Sequence, residues 1–152
     1  MASNVLDHLA DHVHVALKAA FSEVIRANPD QTFYAFALFT DDSLQFMHPA
    51  ANTEEALIST VQRYRKEVDP KYGTTSTRTG MRWSYGDWGF FANFGEKHFK
   101  KINEALIANI DGPDEAFEAT IGSLWTAALE GFRRLEKEGF FGSASARSKI
   151  TL

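Results

Sequence analysis

FYAFALFTDDSLQFMH, residues 33–48, is the stretch whose reading decides the fold. Phe33, Ala35, Ala37 and Phe39 alternate with Tyr34, Phe36 and Leu38. That is the two-residue period of a strand, and here both faces are largely apolar, so the strand is expected to be central and buried. Thr40, Asp41, Asp42 and Ser43 supply turn chemistry, because Asp and Ser side chains bond nearby backbone amides, and 44–48 resumes an extended apolar pattern. The simplest reading is a hairpin of 33–39 with 44–48.

Upstream, Leu6, Leu9, Val13, Leu17, Ala20 and Val24 recur at steps of three and four. They predict one long amphipathic helix, capped by Ser3 or Asn4 and stopped by Asn28-Pro29-Asp30. Downstream, Pro49-Ala50-Ala51 reads as a non-helical linker, and Asn52 followed by Glu55 reads as a capping box that opens a second helix. Leu57, Val61, Tyr64 and Val68 form its apolar face, and Asp69-Pro70-Lys71-Tyr72-Gly73 breaks it. The Thr-rich segment 74–80 is either an ordered loop or the approach to a short strand through Met81, Arg82 and Trp83; the strand is the expectation.

Gly86, Asp87 and Gly89 then interrupt a cluster of rings that includes Trp83, Tyr85, Trp88 and Phe94, which predicts a sharply turning, irregular segment. Phe99, Ile102, Leu106 and Ile110 predict a helix over 95–110, ended by Asp111-Gly112-Pro113. The cleanest periodicity is that of the last helix, with Phe117, Ile121, Leu124, Trp125, Ala128, Phe132 and Leu135 in one stripe and Gly139 as its cap. The segment after Gly142 reads as loop, and Lys149, Ile150, Thr151 and Leu152 have strand character, so the chain is expected to end within a terminal strand.

At 152 residues, 44% of them hydrophobic, the chain fits a single domain over 1–152 with a core that needs no metal or disulfide staple. Cysteine is absent, which excludes thiolate chemistry and Cys-based zinc sites. The net charge of -4 is mild and the basic runs, Lys100-Lys101 and Arg133-Arg134, are short, so nucleic acid is not an expected partner. The first residues, MASNVLDHLADH, carry neither a signal peptide nor an apolar span, and the expectation is a cytoplasmic protein without membrane contact. No G-x-S-x-G elbow occurs, and the GDWGFF glycines are not a phosphate loop, so no cofactor is expected.

Four constellations bear on chemistry. His8 and His12, four apart beside Asp7 and Asp11, have the spacing of two metal ligands, but they sit off the apolar stripe and read as an exposed polar face; no metal site is assigned. Asp41 and Asp42, with Glu54 and Glu55, form either a carboxylate group or, more simply, a turn and a helix start. His48 is a candidate general base that lacks an identifiable nucleophile. The best functional candidate is Arg82-Trp83-Ser84-Tyr85-Gly86-Asp87-Trp88, where a guanidinium, a carboxylate and large rings suit a pocket for an anion or a partner; the structural alternative is an Arg82–Asp87 pair under packed tryptophans.

The order FYAFALFTDD, PAANTEEAL, MRWSYGDW and a long helix ending in GFFG resembles a bacterial family known only as a domain of unknown function. The resemblance covers nearly the whole chain and implies a small single-domain α+β protein; it carries over no activity. Some such families sit in toxin-immunity or contact-competition neighbourhoods. The family also continues past GFFG into a further strand, which the chain enters only partway.

The reading is therefore an α+β domain, an antiparallel sheet built on a central hairpin and covered by amphipathic helices. The leading functional expectation is a non-enzymatic protein-binding domain, immunity-type or adaptor, that uses the acidic turn and the 82–88 surface: Asp41, Asp42, His48, Arg82, Trp83, Asp87 and Trp88. The alternative is a small hydrolase or ligand-binding enzyme with an acidic and aromatic cleft. A third is a structural oligomer, whose sign would be an apolar patch on the last helix.

Overall fold

In the computed structural model, which describes residues 2–109 and 114–152 and the side chains of 5–109 and 118–152, the strand read from 33–39 forms as β1, Phe33–Phe39. Its partner is not 44–48. The second strand, β2, is His48–Thr53, and it pairs antiparallel with β1 from Phe39↔His48 to Phe33↔Thr53. The reason lies in the turn. Asp41 accepts the Leu44 N–H on its carbonyl and the Gln45 N–H on its carboxylate at 2.8 Å. Leu44 takes a left-handed φ of 51° that drops its side chain into the core. The N–H and C=O of Met47 are both bonded by the side-chain amide of Asn103, at 2.7 and 3.1 Å. These groups are no longer open to a ladder.

A third strand, β3, Phe90–Phe91, pairs on the far side of β2, so the order β1-β2-β3 makes β2 the middle strand. Pro49-Ala50-Ala51, read as a linker, is therefore the centre of the sheet. Pro49 is tolerated there because β3 reaches only Ala50 and Ala51 and asks nothing of the missing N–H. The outer edge of β1 carries a single parallel bridge from Thr151: its N–H donates to Tyr34 O at 2.8 Å, and Phe36 N–H donates to Thr151 O at 3.0 Å. The strand character of the last residues is realised as that one bridge.

A register shift between Phe33 and Ala35 turns Tyr34 and Ala35 to one face of the sheet and Phe36 to the other. The Phe36 face is covered by α2 (Leu9–Ala27), α5 (Glu96–Asn109) and α6 (Asp114–Lys137). Phe21, Phe99, Leu17 and Leu106 are at its centre, each at most 1% exposed. The Tyr34 face is covered by α3 (Glu54–Glu67) and α4 (Thr75–Trp83), through Leu57, Val61 and Met81. The α+β class and the antiparallel sheet under amphipathic helices thus stand.

Several boundaries differ from expectation. The opening helix is two, α1 (Ala2–Asp7) and α2, broken at His8. Thr53, not Asn52, caps α3 by accepting the Ala56 N–H, and the Glu55 carboxylate reaches Thr32 N–H at 2.8 Å instead of the Asn52 N–H that a capping box would use. The strand expected through Met81, Arg82 and Trp83 is the end of α4. There Thr77 and Thr79 return their hydroxyls to backbone carbonyls at 2.8 and 2.9 Å, so the polar Thr-rich run winds into a helix with only Met81 buried. In α6, Leu124, Ala128 and Leu135 are buried, whereas Trp125 is 44% exposed. The loop expected after Gly142 contains a short helix, α7 (Ala144–Arg147), capped by Ser143. Ser3 and Asn4, expected to cap the opening helix, lie inside α1, which already begins at Ala2. Ile110, the Asp111-Gly112-Pro113 stop and the Phe117 side chain lie outside the described residues.

Candidate functional site

The end of α4 returns to the sheet, and its side chains are bonded from three directions. Arg82 forks onto Glu54 with hydrogen bonds of 2.8 and 2.7 Å, and its guanidinium lies 3.7 Å over the ring of Tyr34. The pairing expected with Asp87 is thus taken by Glu54. The Arg82 carbonyl accepts from the Tyr34 hydroxyl at 2.9 Å and from the Trp88 indole at 3.0 Å. Asn52, 2% exposed, donates to the Tyr34 hydroxyl at 2.7 Å and accepts the Gly89 N–H at 3.0 Å. Asp87 accepts from Tyr64 at 2.6 Å and from Ser84 at 2.8 Å.

These contacts set the charges. Hydrogen bonds from Arg82 hold the Glu54 carboxyl below its ordinary range, against a desolvation that pushes the other way. The same bonds raise Arg82. Burial raises the Tyr34 phenol, and the Asp87 carboxylate raises Tyr64.

With Arg82, Asp87 and Trp88 tied inward, Trp83 and Tyr85 face outward at 48% and 53% exposure. Trp83 stands edge-on to Tyr34 at 5.9 Å, and Tyr85 packs on Phe39 at 5.3 Å and Phe91 at 5.9 Å. Together with Trp88 and Leu152 they border a hollow of about 330 Å³ that is lined also by Phe36, Ala37, Leu38 and Phe39 of β1 and Phe91 of β3. Tyr85 lies in the 82–88 segment singled out from the sequence, whereas Phe39 and Phe91 were not site candidates there. Their aromatic character is visible there, but their meeting depends on pairing β1 with β2 and β2 with β3.

The remaining candidates lie apart from this hollow. Arg82 lines a different one with Arg78 and Thr79 on the α3–α4 side, and Asp41, Asp42, His48 and Asp87 line neither. Asp41 is spent on its turn and Asp42 is exposed. His48 stacks near Phe46 at 5.0 Å, with a buried Nδ1 that has no partner among the described residues. Glu54 and Glu55 serve Arg82 and Thr32. His8, well exposed, approaches Asp11 at 3.9 Å, and among the described residues no group of three or more His, Asp or Glu is placed to hold a metal.

A larger hollow of about 660 Å³ opens between α6 and the 40–47 connection, bordered by Leu44, Met47, Trp125, Leu129, Phe132 and Arg133 among others. Its sequence signal was the α6 stripe, which supplies Trp125, Ala128 and Phe132 to the lining. Among the described residues no helix is long and apolar enough to cross a membrane.

The sequence model of the family described as a domain of unknown function, DUF4303, matches residues 13–152. No curated protein and no solved structure matches the chain.

Proposed function

We propose that this chain, which belongs to the DUF4303 family, is a non-enzymatic protein-binding domain of immunity or adaptor type that recognises its partner through Trp83 and Tyr85. One observation carries the reading. Trp83 and Tyr85 remain half-exposed on a backbone that the Arg82, Asn52, Trp88 and Asp87 bonds hold in place. Large rings on a rigid platform bury much area on binding and lose little conformational entropy, which is the physics of interface hot spots.

The hydrolase alternative asks Asp41, Asp42, His48, Arg82 and Asp87 to share one cleft. In this fold Asp41 and Asp87 accept internal hydrogen bonds, and Arg82 lines a hollow the others do not. That weighs toward binding.

The test is affinity capture by the tagged chain from a lysate of its native host at physiological salt, run beside Trp83→Ala and Tyr85→Ala. The expected result is one stoichiometric protein held by the parent chain and lost from both variants, with their melting temperatures kept. An empty capture, or a partner held equally by the variants, overturns the proposal.

A further inference from the structure

We propose that the 660 Å³ cleft between α6 and the β1–β2 connection is a binding site for an amphipathic anion, a single acyl chain ended by a carboxylate. It is separate from the Trp83 and Tyr85 surface and goes beyond the protein-binding reading.

The cleft is built, not incidental. Its floor is Leu44, Met47 and Ala128, at 2%, 0% and 4% exposure, and their side chains offer no oxygen or nitrogen to a ligand. Leu44 is fixed by its left-handed backbone and Met47 by its two hydrogen bonds with the Asn103 amide, so the floor is pre-formed. Leu38 and Phe132 make the walls. The volume lies within the ~300–1,000 Å³ usual for small-molecule sites, which are apolar inside with a few polar groups at chosen places. Above this floor, Trp125 and Leu129 stand 44% and 51% exposed on the rim, an amount of apolar surface that a ligand's hydrocarbon would remove from water.

The rim charges select the head group. Arg147 is paired with Glu136 at 2.7 Å and also donates to Ile150 O at 2.6 Å, so those two lining charges cancel. Arg134, one residue from Arg133, is likewise engaged with Asp11 and Glu130. Arg133 makes no hydrogen bond or ion pair among the described residues. It leaves the cleft with one uncompensated cation at its mouth, and a guanidinium fork is matched to a carboxylate. Hydrocarbon below and one positive charge above define the ligand class.

Isothermal titration of the full chain with dodecanoate, below its micelle concentration, is the test. One molecule per chain is expected. Arg133→Gln should weaken binding about tenfold, the scale of one charge-assisted hydrogen bond. Dodecyltrimethylammonium, with the same tail and the opposite charge, should bind at least as much more weakly. Leu129→Glu places a carboxylate in the rim at an exposed helical position, so the fold should survive, as a thermal melt would show, while binding is lost. Absence of dodecanoate binding, equal binding of the two head groups, or full binding by folded Leu129→Glu would each overturn the assignment.

Discussion

Removing the Arg82 side chain separates a structural role for the 82–88 segment from a purely recognitional one. In Arg82→Ala the two bonds to Glu54 and the contact over Tyr34 disappear, whereas the main-chain carbonyl that receives Tyr34 and Trp88 stays. Hydrogen bonds to charged groups contribute about 1.5–3 kcal/mol. Both partners are partly wet, with side chains 29% and 41% exposed, so screening reduces the pair to roughly 1 kcal/mol. The guanidinium over Tyr34, in a half-closed site, adds about 1–2 kcal/mol. A loss of about 2–3 kcal/mol is expected, which for a chain of this size is a fall of roughly 5–10 °C in melting temperature. Urea denaturation of Arg82→Ala, Glu54→Gln and the double variant measures it, and the cycle should return a coupling near 1 kcal/mol between the pair. Arg82→Lys, which keeps the charge and loses the fork, should fall between. An Arg82→Ala protein that melts within about 1 °C of the parent would refute the argument, because it would mean that the latch of α4 onto α3 and β1 stores no stability.

Asn52→Ala strips a buried amide from the Tyr34 hydroxyl and the Gly89 N–H, and should cost about 1–3 kcal/mol in denaturant unfolding; a neutral result would show that water replaces the amide. Gly95 has φ +66° and a Cβ there would stand 2.4 Å from that of Ala20 in α2, so Gly95→Ala should lose at least about 3 kcal/mol or fail to fold. Gly122, with open space around it in α6, should instead gain up to about 1 kcal/mol as Gly122→Ala in the same melting assay. Acid titration should show the contribution of Glu54. Its folded pKa is lowered, so its contribution is present above the ordinary carboxylate range, about 4.3, and is lost as pH falls through the lowered value; Glu54→Gln should flatten that part of the stability curve. Tyr34 has the opposite sign: its folded pKa is raised, so its contribution is present below about 10 and is lost as pH rises through the raised value, which alkaline melts would register.

How much of this was legible in the sequence depends on which signals are local. The period of two in 33–39 predicted β1, and the three- and four-residue stripes predicted α2, α3, α5 and α6, because the apolar face of each element is written in its own residues. The error over 44–53 arose because a side chain from a distant helix, Asn103, takes the Met47 backbone, which no local pattern records. The candidate segment was legible as a place and not as an arrangement. Its charges and rings were read as one cluster, yet the partner of Arg82 is Glu54, 28 residues away, and Asp87 takes the distant Tyr64 as well as the local Ser84.

By itself the sequence determined the α+β class, the amphipathic helices and the apolar strand at 33–39, since burying those stripes dominates the free energy of folding and each stripe needs only its own spacing. Only the tertiary structure decided that Pro49-Ala50-Ala51 is the middle strand, that Arg82 is a latch, and that Trp83 and Tyr85 are left facing outward. It also decided that a cleft opens under Trp125 with Arg133, which has no ion-pair partner among the described residues, at its rim. Those outcomes rest on directional bonds between residues far apart in the chain, and directional pairing, unlike hydrophobic burial, has no period that a sequence can display.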